Sequence, residues 1–405
     1  MRFSKNRIFE ITFILFFSLD AITTTVNSLF NIVWGTNIID TAIVYSIFFV
    51  FFFSNFLINL SKQDFTYFAF VLILSFIFLI DYLRFPDNFP YLIELIFPLF
   101  MASLGLYFMN KITDYNNLSK LLKIIAYISF FLLFTQPFWP DNIIISLNNP
   151  NMIDGYMNFA YKIMPSIMIL IFMFFKENNK FSLMLSLIGI IELVILGNRG
   201  ALLSILVLIV LLILYQSSFT KTILVILFVF IPSILILSSN TILISFYTFF
   251  KSIGLPSDFL YRFINGTISN TNREWIYDTL INQLRTSNWF GRGLWGDRRI
   301  LFDAFNQPTY AHNFILEMLI QFGYIFGGTL ILSLFYSIIT NFIKRKHLKV
   351  FIILFFSLII PKLLFSSTYL IEPYFFALIG ILFSMSHVKN KRRRDYYEEH
   401  FNYFL

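Results

Sequence analysis

The chain alternates long apolar runs with short polar breaks. The runs fall at about 8–34, 38–60, 65–83, 91–109, 118–138, 156–175, 181–197, 200–215, 221–245, 312–340, 348–364 and 370–387. A helix needs about 20 apolar residues to cross a bilayer, and most of these runs reach that length. The pattern predicts an all-α polytopic membrane protein with about 12 transmembrane helices. The runs at 181–197 and 200–215 are short and are expected to tilt or merge. The break between the ninth and tenth runs differs in kind. Residues 246–311 form the one large polar segment, too long for a simple connection. Within it, "NREWIYDTLINQLR" spaces Trp275, Ile276, Leu280 and Leu284 as a helix would, which predicts a helix lying on the bilayer. Three parts follow: nine spans in 1–245, a loop domain in 246–311, and three spans with a basic tail in 312–405.

Composition sharpens this picture. Of 405 residues, 58% are hydrophobic and 56 are Phe, more apolar surface than a soluble core of this length absorbs. With no cysteine, disulfide frameworks and thiolate chemistry are excluded. The first run is of full span length and lacks a small-residue cleavage site, so no cleavable leader is expected. Net charge is +8, but the basic residues gather in loops. That fits a topology signal better than nucleic-acid binding, and no nucleic-acid partner is expected. Counted alternately from Arg2, Lys5 and Arg7, one side receives Lys62, then Lys111, Lys120 and Lys123, then Lys176 and Lys180, then Lys221, "KRKHLK" and "KNKRRR". The positive-inside rule makes that side cytoplasmic, with both termini inside and residues 246–311 outside.

Three outer-face groups are candidates for chemistry. Arg199 stands in "GNRGALL" at a tight break between two runs. An arginine at a membrane edge points to function, the alternative being a snorkelling side chain at a helix end. The loop domain carries Arg262, Arg273, Arg285, Arg292, Arg298 and Arg299. Guanidinium forks hold phosphates bidentately where an ammonium cannot, although any one of Arg285, Arg292, Arg298 or Arg299 reads more readily as a solvated loop charge. His312 and Asn313 open the tenth run. A neutral imidazole can accept a hydroxyl proton near neutral pH, the alternative being a histidine that caps the helix. Lys162 lies near the outer end of its run, and Glu317 follows Asn313 by four residues on the same face. Gly323 and Gly327 read as a helix-packing pair. No metal-ligand cluster and no nucleotide-phosphate loop stands in the sequence, so no metal and no other cofactor is expected.

The order of these pieces resembles the O-antigen polymerase (Wzy) and O-antigen ligase (WaaL) superfamily. The resemblance rests on "GNRGALL", "NREW", "FGRG" and "AHNFILEMLIQFGYIFGG", and it covers about residues 190–335. It implies a GT-C-like membrane glycosyltransferase in a bacterial cytoplasmic (inner) membrane. Arg199 and Arg273 would hold the pyrophosphate of an undecaprenyl-pyrophosphate-linked oligosaccharide. His312 would take or orient the acceptor hydroxyl, and Asn313 would fix the imidazole or touch a sugar. Lys162, Arg292 and Glu317 complete the expected substrate-binding set. The expected partners are the lipid-linked oligosaccharide, the lipid bilayer and a chain-length regulator protein. "AHNFILEMLIQFG" and "SSTYLIEPYFFALIG" look more like polymerases. A ligase that delivers the glycan to lipid A core, and a lipid-linked oligosaccharide flippase, stay open.

Overall fold

The computed structural model describes residues 5–34, 38–112, 114–134, 136, 153–196, 198–216, 240–252, 273–286, 289–307 and 309–383. Among them the regular elements are helices, and no strand occurs. Those used below are α1 (Lys5–Trp34), α2 (Ile38–Ile58), α3 (Lys62–Arg84), α4 (Phe89–Lys111), α5 (Tyr115–Phe134), α6 (Ile153–Glu177), α7 (Lys180–Leu196), α8 (Arg199–Gln216), α9 (Asn240–Ser252), α10 (Arg273–Arg285), α11 (Gly296–Phe305), α12 (Phe314–Lys344), α13 (Lys349–Phe365) and α14 (Pro373–Phe383). Over its described residues, each predicted run other than 221–245 corresponds to a helix. Eight described helices are long and apolar enough to cross a membrane, and Gly200–Tyr215 and Pro373–Phe383 form shorter apolar helices. The chain is an all-α polytopic membrane protein. Most of the run at 221–245 lies outside the described residues.

Aromatic packing fills the bundle. Phe13 of α1, Tyr107 and Phe108 of α4, Phe172 of α6 and Phe355 of α13 are fully buried. Phe13 meets Phe108 edge-on, with ring centroids 5.9 Å apart, a geometry in which the positive ring edge meets the negative face. α2 and α3 instead leave large side chains outward, such as Leu57, Leu72 and Leu83, as a lipid-facing surface does.

The helix ends sort into two groups. One gathers the start of α5 with the end of α6, where Lys123 Nζ pairs with Glu177 Oε2 at 2.9 Å. It also gathers the start of α3 with the end of α4, where Lys111 Nζ pairs with Asp64 Oδ1 at 2.6 Å. The start of α1 belongs here too, because Asn117 Nδ2 donates to Glu10 Oε1 at 3.0 Å. These are the lysine-bearing ends of the sequence pattern. The other group gathers the starts of α6, α8, α12 and α14 with the end of α13, and α10 and α11 pack onto it.

The helix expected to lie on the bilayer is α10. Its Ile276, Leu280 and Leu284 pack on Leu301 of α11, Ala311 and Ile320 of α12, a small second core. Trp275 is exposed. The apolar spacing therefore records packing on protein by three of the four residues, and only Trp275 is left to face outward.

Candidate functional site

The platform of the site is a broken helix. α12 loses helical geometry at Gly323, where φ is 76° and ψ is 178°, a region essentially reserved for glycine. The segment "FGRG" lies against this break. Arg292 N donates to Ile320 O at 2.8 Å and Gly293 N to Gln321 O at 3.0 Å, so two carbonyls that end the first half of α12 find partners. A Cβ on Gly323 would lie 2.3 Å from Trp289 O, so only glycine fits this crossing. Glycine here serves the junction of loop and helix. Gly327 approaches Met318 O of the same α12 across the kink, so the packing expected of the pair occurs within one folded-back helix.

The first half of α12 is fixed at its start by Asn313. Its Oδ1 accepts from Ile315 N at 3.0 Å and from Leu316 N at 3.2 Å, which satisfies two orphan helix donors. The cap is thus Asn313, and His312 is released from that role. His312 itself has φ 50°, an uncommon left-handed conformation for a side chain of this size.

Beneath the loop lies a buried polar network. Gln321 Nε2 donates to Asp297 Oδ1 at 3.1 Å and to Glu317 Oε1 at 3.2 Å. Asp297 Oδ2 accepts from Ala311 N at 3.2 Å, and Tyr369 OH donates to Gln321 Oε1 at 2.6 Å. Thr368 Oγ1 donates to Glu317 Oε1. Burial pushes the Asp297 carboxyl up, while Arg298 and the hydrogen bonds from Gln321 and Ala311 oppose that shift. The network ties α11, α12 and the Ser366–Glu372 turn together, so Glu317 positions the site from below and does not face open space.

Above the network sit the cations. The Arg298 guanidinium lies 4.0 Å from the Trp295 ring and 5.1 Å from the Tyr310 ring. Its Nε is buried with no hydrogen-bond partner. The His312 ring centroid is 3.8 Å from that of Tyr310, and His312 Nδ1 is likewise buried and unpartnered. Burial first, then the positive fields of Arg273 and Arg298, push the His312 imidazole down to about 4. Burial raises Tyr310 to about 12, against the same two arginines. The field of Arg273 also reaches Tyr161. Both guanidinium groups therefore bear on one locus.

The floor of that locus is polar. Tyr161 OH donates to Ser366 Oγ at 2.6 Å and Tyr310 OH to Ser366 O at 2.6 Å. Lys362 Nζ pairs with Glu372 Oε1 at 2.5 Å and lies 5.2 Å from the Tyr161 ring. Gly200 explains why "GNRGALL" carries a glycine there. A Cβ on it would stand 1.9 Å from Tyr161 OH, so the helix start and the tyrosine meet only if that position is bare. Asn198 Oδ1 caps α8 by accepting from Ala201 N at 3.0 Å. A cavity of about 730 Å³ opens beside these groups, lined by Arg298, Tyr310, Tyr161, Lys162, Lys362 and Glu372 among others.

Of the sequence-derived residues, Arg273 and His312 come together here. Arg199 is the first residue of α8, next to Gly200 and Asn198, and its side chain lies outside the described residues. Lys162 lines the cavity and donates to Thr24 Oγ1 at 2.8 Å. Arg292 is exposed and points to Gln283, its Nη2 2.7 Å from the amide oxygen once that amide faces it. Its backbone serves the loop–helix junction and its side chain does not line the cavity. Sequence reasoning passed over Arg298 as one loop charge among several, and missed Tyr161, Tyr310, Lys362 and Glu372. Lys362 had a legible signal, an ammonium inside an apolar run.

Such an arrangement can hold a doubly charged, oxygen-rich group between guanidinium forks and present a neutral imidazole to a neighbouring hydroxyl. No curated protein and no solved structure matches the chain. Residues 182–332 match the family described as O-antigen ligase. That stretch carries Arg199, Arg273, Arg298, His312 and the break at Gly323, and with the many-helix membrane architecture it supports a likeness of the chain to the O-antigen ligase/polymerase superfamily.

Proposed function

We propose that this enzyme is a polysaccharide polymerase. It moves a growing glycan from undecaprenyl pyrophosphate onto the next lipid-linked repeat unit, at the outer face of a bacterial cytoplasmic membrane with both termini inside. The observation that carries this reading is the convergence of Arg298 and Arg273 on His312 and Tyr310 beside the cavity. An acceptor hydroxyl attacks the anomeric carbon, and the bond from that carbon to the pyrophosphate oxygen breaks. Negative charge builds on the departing pyrophosphate. Arg273 and Arg298 stabilise it as donors already at the site, joined in this reading by Arg199, a role that needs no metal ion. The hydroxyl proton passes to His312.

The depressed imidazole fits this sequence of events. Burial first, and then two positive neighbours, hold it neutral in the free enzyme, ready to accept. A bound pyrophosphate offsets those charges and raises its proton affinity when the proton must move. Asn313 and Glu317 hold the helix start and the network below, and so act as positioning residues. A chain-length regulator is proposed as a protein partner.

The ligase reading keeps one observation in its favour, the description of the matching family. Purified protein in lipid discs, given a synthetic undecaprenyl-pyrophosphate-linked repeat unit and a chelator, separates the two. A ladder of multimers with no other acceptor present is the expected result. Product that forms only when lipid A core is added would replace polymerase with ligase.

A further inference from the structure

Beyond the pyrophosphate locus, a second polar region lies on the first third of the chain, outside the stretch that matches the family. α1 carries Asp20, Thr23, Thr24, Asn27 and Ser28. These positions repeat at three and four residues, so they share one helical face. Polar side chains in a membrane-spanning helix are costly against lipid and face protein or water-filled space. Here the face lines a groove of about 280 Å³, completed by Thr41, Tyr45 and Lys162. Tyr45 and Lys162 also line the large cavity of the candidate site, as does Asp20. Groove and cavity therefore adjoin.

The hydrogen bonds say what the groove wants. Thr23 Oγ1 donates to Leu19 O at 2.9 Å, Thr24 Oγ1 to Asp20 O at 2.6 Å, and Ser28 Oγ to Thr24 O at 2.9 Å. Each hydroxyl has turned its proton back onto its own helix. These three hydroxyls leave oxygen lone pairs toward the groove, the Asn27 amide and the Tyr45 hydroxyl add donors, and the Asp20 carboxyl lines the adjoining cavity. Asn27 Oδ1 accepts from Thr41 Oγ1 at 3.1 Å. Lys162 is the cationic exception, and it already donates to Thr24 Oγ1. A neutral surface that mixes many acceptors with a few donors matches hydroxyl groups, which both donate and accept, better than an acceptor-only anion. It suits a ligand that brings many O–H donors.

We infer that this groove is a saccharide subsite, which binds ring hydroxyls of the glycan repeat unit while its pyrophosphate end lies at Arg273 and Arg298. The inference rests on the glycan-transfer reading. It adds that the N-terminal helices, and not the matched region, select which sugar is accepted.

The probe is the free repeat-unit oligosaccharide, without lipid or phosphate, titrated into the full-length protein in lipid discs by saturation-transfer NMR. Thr24→Val and Asn27→Leu remove polar atoms at near-constant volume and add apolar character to a membrane helix, which leaves insertion intact. Each is expected to weaken oligosaccharide binding about tenfold, the loss of one or two hydrogen bonds, and to raise KM with little change in kcat. Arg273→Ala is expected to leave oligosaccharide binding unchanged while it abolishes turnover. Unchanged binding in both groove variants would overturn the subsite, whatever the turnover. Loss of turnover in the unmodified protein with groove-dependent oligosaccharide binding would instead spare the subsite and sink the transferase reading.

Discussion

Lys111 and Asp64 meet at 2.6 Å with side chains 7% and 1% exposed, and Lys111 also donates to Asn59 O and Tyr107 OH. At the opposite end of the bundle, Arg298 Nε and His312 Nδ1 are as enclosed and have no hydrogen-bond partner. Both ends bury positive or protonatable groups among aromatic rings. At the lysine end Lys111 and Lys123 each meet a carboxylate within the chain. At the arginine end no described carboxylate closes an ion pair on Arg298, although Asp297 and Glu317 lie within its field. An ion pair that closes on itself holds helices in place and has nothing left for a ligand. A guanidinium held by ring stacking, with a donor unspent, gains further when an anion arrives. On the proposed function, the contrast separates a structural charge from one left open to a ligand.

The contrast breaks most sharply if both guanidinium groups are removed. Arg273→Ala with Arg298→Ala is expected to lower polymer formation more than about 10³-fold, because removing one pre-placed donor alone costs about 10²–10³. Arg299→Ala is the control. Its guanidinium pairs with Asp303 on the surface at 2.9 Å, and turnover should stay within about twofold. Gel analysis of polymer, normalised to membrane-inserted protein, reads both.

His312→Ala is expected to cost about 10²-fold in kcat, within the usual range for a general base. The pH profile sharpens its role. The imidazole accepts a proton only while neutral, and its folded value lies near 4. Dependence of kcat/KM on this group should therefore be flat near neutrality and fall as pH drops through about 4. His312→Gln should remove that acid limb. A profile for His312→Gln that superimposes on the unmodified one would leave the residue only an orienting role.

Gly200→Ala tests the contact between the "GNRGALL" helix start and Tyr161. The added methyl meets Tyr161 OH at 1.9 Å, so the ring must leave Ser366. A loss of about tenfold in turnover is expected, in keeping with the roughly 1–3 kcal/mol cost of overpacking. Tyr161→Phe in the Gly200→Ala background should recover part of it by removing the clashing oxygen. An additive double variant would show that the two positions do not communicate.

Lys111→Ala perturbs the other end. It strands the Asp64 carboxylate and should destabilise the protein by about 3–5 kcal/mol, read as a lower midpoint in detergent unfolding. Turnover per folded molecule should change by less than about twofold. A selective loss of kcat would erase the distinction between the two ends.

The helices were largely legible because membrane spans are written in long apolar runs, and the runs at 8–34, 65–83 and 348–364 map onto α1, α3 and α13. His312 stood out at the edge of such a run, and Arg273 in the "NREW" stretch of the loop domain, and the structure sets the two near each other. The break in α12 was not. Gly323 and Gly327 match a packing pair at four-residue spacing, and only the carbonyls bonded by "FGRG" show that the first glycine ends a helix. Arg298 was unreadable for a different reason. Nothing local separates it from its neighbour Arg299, and the two differ only through the Trp295 and Tyr310 rings that enclose one of them. The face of α10 shows the opposite limit: apolar spacing says that a face is covered, and not whether lipid or protein covers it.

The central claim is that the unpaired cations at one end of the bundle await a pyrophosphate. Binding of undecaprenyl pyrophosphate alone, without sugar, tests it most directly, measured by native mass spectrometry on the full-length protein and on Arg273→Ala, Arg298→Ala and Lys111→Ala. The account predicts about 10–100-fold weaker binding for each arginine variant, as expected for a lost charge-assisted bidentate contact, and unchanged binding for Lys111→Ala. Equal affinity across all four proteins would contradict it.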